Sequence, residues 1–255
     1  MTGTVTAIGP AAEAKERLIV ALDVDSAHRG RELVAELRDT VGAFKIGMQL
    51  FTAAGPDLVR ELSADGVRVF LDLKFHDIPN TVARAGVEAA RLGVWMFNVH
   101  AAGGAEMMKR TVAEVDDACE REGLQRPLII AVTVLTSSDG STLSETGIDS
   151  GPEEQVIRLA RLAMNSGLDG VVASPLEARA IRKAIPDRDP VIVTPGVRPH
   201  FATMDDQKRV MTPGEAVAAG SDFIVVGRPI TGSDNIRAAA EKIVTEIENN
   251  LGPSN

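Results

Sequence analysis

Four charged residues interrupt segments that are otherwise apolar. Asp23 follows Leu18-Ile19-Val20-Ala21-Leu22, Lys45 lies within Ala43-Phe44-Lys45-Ile46-Gly47, and Asp72 and Lys74 end Phe70-Leu71-Asp72-Leu73-Lys74. Asp72 and Lys74 are two apart, so in an extended strand they share one face and Leu71 and Leu73 take the other. Two carboxylates and two ammonium groups gathered at one point can orient a polar substrate, stabilise developing negative charge and transfer a proton. A partly buried lysine keeps its charge only beside groups of opposite sign, which the carboxylates supply. Taken singly, each residue reads better as a core ion pair or a solvated strand end than as a functional group. All four at the ends of three successive strands carry a desolvation cost of the kind found at functional sites.

A second set of residues suits a phosphate. Val225-Val226-Gly227-Arg228-Pro229-Ile230 ends an apolar run near the C-terminus, and Pro195-Gly196-Val197-Arg198-Pro199 with Gln207 follows the run before it. A glycine lets a backbone N–H approach an oxyanion and an arginine offers a fork of donors. A helix starting near Ser233 would add a favourable dipole. Gly-Arg-Pro alone is a weak signal; its place after the eighth strand gives it weight.

The elements that must position these residues alternate regularly. Eight short apolar runs span Leu18 to Val24, Ala43 to Met48, Val67 to Lys74, Val94 to His100, Pro127 to Leu135, Asp169 to Ser174, Pro190 to Gly196, and Asp222 to Gly227. Nearly continuous apolar runs are what parallel strands covered on both faces require. Helical spacing fills the gaps, as in Ala83, Val87, Ala90 and Leu92. Gly93, Gly123, Gly167 and Gly220 precede strands where a left-handed residue would end a helix. Thr212-Pro213-Gly214-Glu215 has the pattern of a capping box, and Ser26, Ser174 and Ser233 are candidate N-caps. Eight strand–helix units in 255 residues define the expected α/β class: a single (β/α)₈ TIM barrel over 17–252 behind a variable tail at 1–16. A doubly wound sheet would usually carry a glycine-rich first turn, and Asp23-Val24-Asp25-Ser26 has no glycine. The strands must carry their active residues at their C-terminal ends. Long loops after the fifth strand (from Thr136 to about Gly151) and the seventh (Val197 to Met211) are candidate lids or binding loops.

Composition narrows the function classes. Hydrophobic residues make up 44% and charged residues 25%, with seven Phe, one Trp and no Tyr, so the core is expected to be aliphatic. Lys plus Arg total 27 against 36 Asp plus Glu, a net charge of −9, which disfavours non-specific binding to nucleic acid or an anionic membrane. A lone Cys119 excludes an internal disulfide and fits a reducing compartment. The run Asp116-Asp117-Ala118-Cys119-Glu120 makes that thiol a helix bystander. With neither a signal peptide at the N-terminus nor a long apolar span, a cytoplasmic location is expected.

The segment Asp72-Leu73-Lys74-Phe75-His76-Asp77-Ile78-Pro79-Asn80-Thr81 resembles the signature of the orotidine 5′-phosphate decarboxylase family. The resemblance covers nearly the whole chain. It includes Leu22-Asp23-Val24, Lys45-Ile46-Gly47, Val132-Thr133-Val134-Leu135-Thr136-Ser137, Thr194-Pro195-Gly196-Val197-Arg198 and Val226-Gly227-Arg228-Pro229-Ile230. It implies conversion of orotidine 5′-phosphate to UMP in a homodimer, with neither metal nor organic cofactor. Lys74 would then protonate C6 of the pyrimidine, Asp72 would sit against the departing carboxylate, and Asp23 and Lys45 would hold the ribose hydroxyls. Asp77 and Thr81 would reach in from the partner chain, and Thr136 would contact the nucleotide. Gln207, Gly227 and Arg228, with Arg198 nearby, would grip the phosphate.

Two other readings are open. Sugar-phosphate decarboxylases and aldolases of the same suprafamily resemble Asp-x-Lys-x-x-Asp but use Mg²⁺; the Ile78-Pro79-Asn80-Thr81 continuation and the Gln207/Arg228 pair favour the nucleotide enzyme. A barrel that binds phosphorylated metabolites without catalysis would be favoured by loss of one of the four charges, and none is missing. His76 and His100 near the mouth could be a metal pair, but simple packing of His76 in its turn is the preferred reading.

Overall fold

The computed structural model describes residues 14–201 and 211–251. Residues 1–13 of the tail, Gln207 and the end of the chain lie outside the described residues. The eight apolar runs form β1 (Leu18–Ala21), β2 (Ala43–Gly47), β3 (Val69–Phe75), β4 (Met96–His100), β5 (Leu128–Val132), β6 (Gly170–Val172), β7 (Val191–Thr194) and β8 (Phe223–Val226). They pair in parallel in sequence order, and β8 pairs with β1 to close the barrel. Each strand lies within the run expected for it or overshoots by a residue.

Eleven helices occur among the described residues. On the first half of the barrel are α1 (Ala27–Leu37), α2 (Met48–Ala54), α3 (Pro56–Ala64), α4 (Pro79–Arg91) and α5 (Gly104–Glu122). The second half carries α6 (Gly140–Glu145), α7 (Pro152–Asn165), α8 (Pro175–Ala184), α9 (Pro213–Ala218), α10 (Arg228–Thr231) and α11 (Ile236–Glu248). Ser26 and Ser174 cap α1 and α8, and Thr212 with Glu215 forms a complete capping box on α9. Gly93, Gly123, Gly167 and Gly220 all have positive φ, as expected of residues that stop a helix ahead of a strand. Ser233 is not the last cap. Asn235 accepts from Ala238 N–H and starts α11, because the short α10 turn intervenes after β8.

Period-two alternation sorts the strand residues into two cores. Leu18, Val20 and Leu22 of the first run face the helices, while Ile19 and Ala21 face the barrel interior with Ala43, Phe70, Ile130, Val193 and Val225. The expectation of an aliphatic core needs one correction. Phe44, Phe70, Phe97 and Phe223 are among the largest fully buried side chains, so the few aromatics are concentrated inside. Trp95 stacks edge-on against Phe223 at 5.0 Å between ring centroids. Cys119 is buried on α5 and burial pushes its thiol up, which suits a packing residue better than a nucleophile. The short turn Ala14–Arg17 packs ahead of β1 with Ala14 and Arg17 buried.

Gly170 shows how closely the strands approach. A Cβ there would lie 2.0 Å from the carbonyl oxygen of Val191 on β7, a backbone atom with no room to yield. Gly170→Ala is therefore expected to lose about 2–3 kcal/mol of stability through overpacking, seen as a lower urea midpoint with an unchanged slope.

Candidate active site

The same alternation that fills the barrel places charge at its mouth. Inward positions run Ile19, Ala21 and then Asp23 past the end of β1, Ala43 and Lys45 on β2, and Phe70 and Asp72 on β3. The small side chains of Ala21 and Ala43 leave room above them. At Gly47 an added Cβ would stand 3.0 Å from Lys45 Nζ and 3.5 Å from Asp23 Oδ1, so the glycine keeps that pair uncrowded.

The four charges form a chain of alternating sign. Lys45 Nζ donates to Asp23 Oδ1 at 3.0 Å and lies 3.4 Å from Asp72 Oδ2. Lys74 Nζ donates to Asp72 Oδ1 at 2.7 Å. Exposure rises towards both ends, with side chains 11% exposed at Lys45 and 12% at Asp72 but 26% at Lys74 and 56% at Asp23. The inner pair is thus the more enclosed and Lys74 and Asp23 the more open, although all four line one cavity.

Simple alternation does not account for Lys74. The β3–β4 register runs Leu71↔Phe97 and then Phe75↔Val99, so three residues of β3 stand opposite Asn98 alone. Lys74 has φ 53°, the one non-glycine among the described residues with positive φ. Asp72 and Lys74 converge because the strand bulges between them, a device that re-aims side chains beside active sites. Asn98, 1% exposed on β4, accepts from Lys74 N–H at 2.8 Å and donates to Asp72 Oδ1 at 2.7 Å. Sequence reasoning passed over it, although an asparagine inside Met96-Phe97-Asn98-Val99 is a buried polar group that must find partners.

The four charged residues line a cavity of about 760 Å³, within the usual range for small-ligand sites. Asp23, Lys45, Asp72 and Lys74 come from β1 to β3, and Thr136, Arg198, Gly227 and Arg228 from the segments after β5, β7 and β8. Val132, Val172 and Val193 make its floor apolar. Arg198 N–H donates to Met211 C=O at 3.1 Å, which ties together the two described ends of the loop after β7. Arg228 is exposed on the rim and opens the four-residue α10. The helix expected near Ser233 is α11, which starts at Ile236 behind Asn235.

Asp77 and Thr81 do not line this cavity. Both are exposed around the start of α4, where Asp77 accepts from Ile78 N–H and Ile78 is 66% exposed. His76 and His100 pack ring against ring at 5.5 Å. Burial, with His76 and Lys74 nearby, pushes the His100 imidazole below its ordinary value, while Asp72 pulls the other way. Its tendency is to stay neutral and leave the charge balance of the quartet alone.

A closed parallel barrel with an alternating carboxylate–ammonium chain at the C-terminal ends of its strands defines a (β/α)₈-barrel enzyme of acid–base and electrostatic chemistry. Residues 16–243 match the model of the orotidine 5′-phosphate decarboxylase / HUMPS family. The chain belongs to that family. It is 57% identical to the orotidine 5′-phosphate decarboxylase of Syntrophotalea carbinolica over 92% of this chain and 96% of the relative. The Geobacter sulfurreducens protein of the same name is 55% identical over 92% and 97%. Among solved structures, the orotidine 5′-phosphate decarboxylase of Lactobacillus acidophilus superposes with a TM-score of 0.79 at 40% identity, covering 90% of this chain and 98% of that one. That of Pyrococcus horikoshii gives 0.70 at 26% identity, covering 91% and 99%.

Proposed function

We propose that this chain decarboxylates orotidine 5′-phosphate to UMP, a step of pyrimidine biosynthesis, in the cytoplasm and without a metal. The observation that carries the chemistry is the chain Asp23–Lys45–Asp72–Lys74, in which a reachable ammonium is fixed by a buried carboxylate. Breaking the bond between C6 and the carboxylate releases carbon dioxide and leaves its electron pair on an sp² carbon in the ring plane. The ring π system delocalises that pair poorly, so stabilisation must come from outside. Lys74 Nζ, aimed before the reaction begins, supplies electrostatic stabilisation and then passes a proton to C6. Repulsion between Asp72 and the substrate carboxylate is given the smaller share.

The other residues divide by reach. Asp23 and Lys45 would bind the ribose hydroxyls and Thr136 the nucleotide. Gly227, Arg228, Arg198 and Gln207 would hold the phosphate, whose distant grip helps align the reacting carbon. Asp77 and Thr81 are assigned to the site of the second subunit in a homodimer. Their exposure next to Ile78, away from their own cavity, supports that role.

The donor set favours metal-free chemistry over the Mg²⁺-dependent sugar-phosphate reaction. Asp72 Oδ1 already accepts from Lys74 and Asn98, and Oδ2 faces Lys45. A divalent cation at Asp72 would have to displace or sit against two ammonium groups. The test offers purified protein orotidine 5′-phosphate in one series and 3-keto-gulonate phosphate with Mg²⁺ in another. UMP formation in the first alone is expected; turnover of the sugar phosphate alone would reverse the assignment.

A further inference from the structure

We infer that Asn98 is a positioning residue for the decarboxylation, holding Lys74 in its left-handed backbone conformation and fixing the Asp72 carboxylate it works beside. The inference rests on the function proposed above. The bulge sets Asp72, Leu73 and Lys74 against one β4 residue, so the ladder has no regular partner for all of their backbone groups. The Asn98 side chain fills the gap: its Oδ1 accepts the Lys74 N–H at 2.8 Å. Its Nδ2 donates to Asp72 Oδ1 at 2.7 Å, the same oxygen that accepts from Lys74 Nζ.

The chemistry of the partners fixes the orientation of the amide. A backbone N–H only donates and an ionised carboxylate only accepts, so the oxygen must face Lys74 and the nitrogen Asp72. One planar group thereby joins the backbone of the proton donor to the carboxylate that aims its ammonium. Residue 74 at φ 53° is a conformation that side-chain-bearing residues take only when their surroundings hold them there. At 1% exposure, water has little access to replace either bond. Leucine here keeps the volume and loses both bonds. Aspartate keeps the acceptor for Lys74 and loses the donor to Asp72. When protonated, however, its carboxyl both accepts and donates as asparagine does, and the neighbouring Asp72 charge raises the pH at which it protonates.

The experiment compares Asn98→Leu and Asn98→Asp with the wild type in steady-state kinetics across pH and in amide hydrogen exchange. In Asn98→Leu, kcat is expected to fall about 10²-fold through misplacement of the ammonium, with KM changed by less than about threefold. The deficit of Asn98→Asp relative to wild type is expected to shrink as the pH is lowered, while that of Asn98→Leu stays constant. The Lys74 amide is expected to lose at least about tenfold protection in Asn98→Leu while the amides of β2 keep theirs. Exchange needs no turnover, so failure of the proposed reaction in the wild type would leave that measurement free to decide the role of Asn98. Wild-type kcat in Asn98→Leu with Lys74 protection retained would overturn the inference. So would a deficit in Asn98→Asp that ignores pH.

Discussion

Replacing Lys74 with alanine is expected to lower kcat by at least about 10⁴-fold, because one side chain supplies both the preorganised charge and the proton, each worth 10² or more. Affinity for UMP should change far less, since the residues proposed to hold the phosphate and ribose lie on or after other strands. The fold should survive, because the Lys74 side chain is 26% exposed and its removal leaves Asp72 with Lys45 and Asn98. Circular dichroism and UMP binding on the same sample separate lost chemistry from lost structure. Residual turnover within tenfold of wild type would move the proton donor elsewhere.

Asp72→Asn has the second largest expected effect, and it strikes both function and stability. The carboxylate lies between two ammonium groups, 2.7 Å from one and 3.4 Å from the other. Without it Lys45 and Lys74 repel each other in a largely buried place and Lys74 loses its aim. A fall in kcat of about 10²–10³-fold is expected, with stability reduced by about 3 kcal/mol. The KM decides between two physical origins. If Asp72 acts by holding Lys74, kcat falls while KM stays near its wild-type value. If repulsion of the substrate carboxylate dominated instead, KM would fall along with kcat. The first pattern is expected.

The barrel was legible because it depends on local, repeated signals. β-branched runs, glycines with positive φ ahead of strands and the Thr212 capping box each leave a mark in a few adjacent residues. The quartet was legible because charge is costly inside apolar strands. The reason Asp72 and Lys74 meet was not: strict alternation predicts the shared face, but the geometry comes from a bulge against β4 that Asn98 bridges. A bulge is a relation between two strands, and a single strand's sequence does not display it. The same limit explains Ser233, which has the composition of a cap but lies two residues before the cap that forms. Asp77 and Thr81 illustrate a third limit, since the role proposed for them in another subunit's site would leave no contact with their own cavity to reveal it.

The most direct measurement follows release of labelled carbon dioxide from carboxyl-labelled orotidine 5′-phosphate by the purified wild-type protein, with and without EDTA. Release matching UMP formation one for one, and undiminished by the chelator, is the expected result. Absence of release from the folded protein, or release restored only by added Mg²⁺, would contradict metal-free decarboxylation by the Lys74 site.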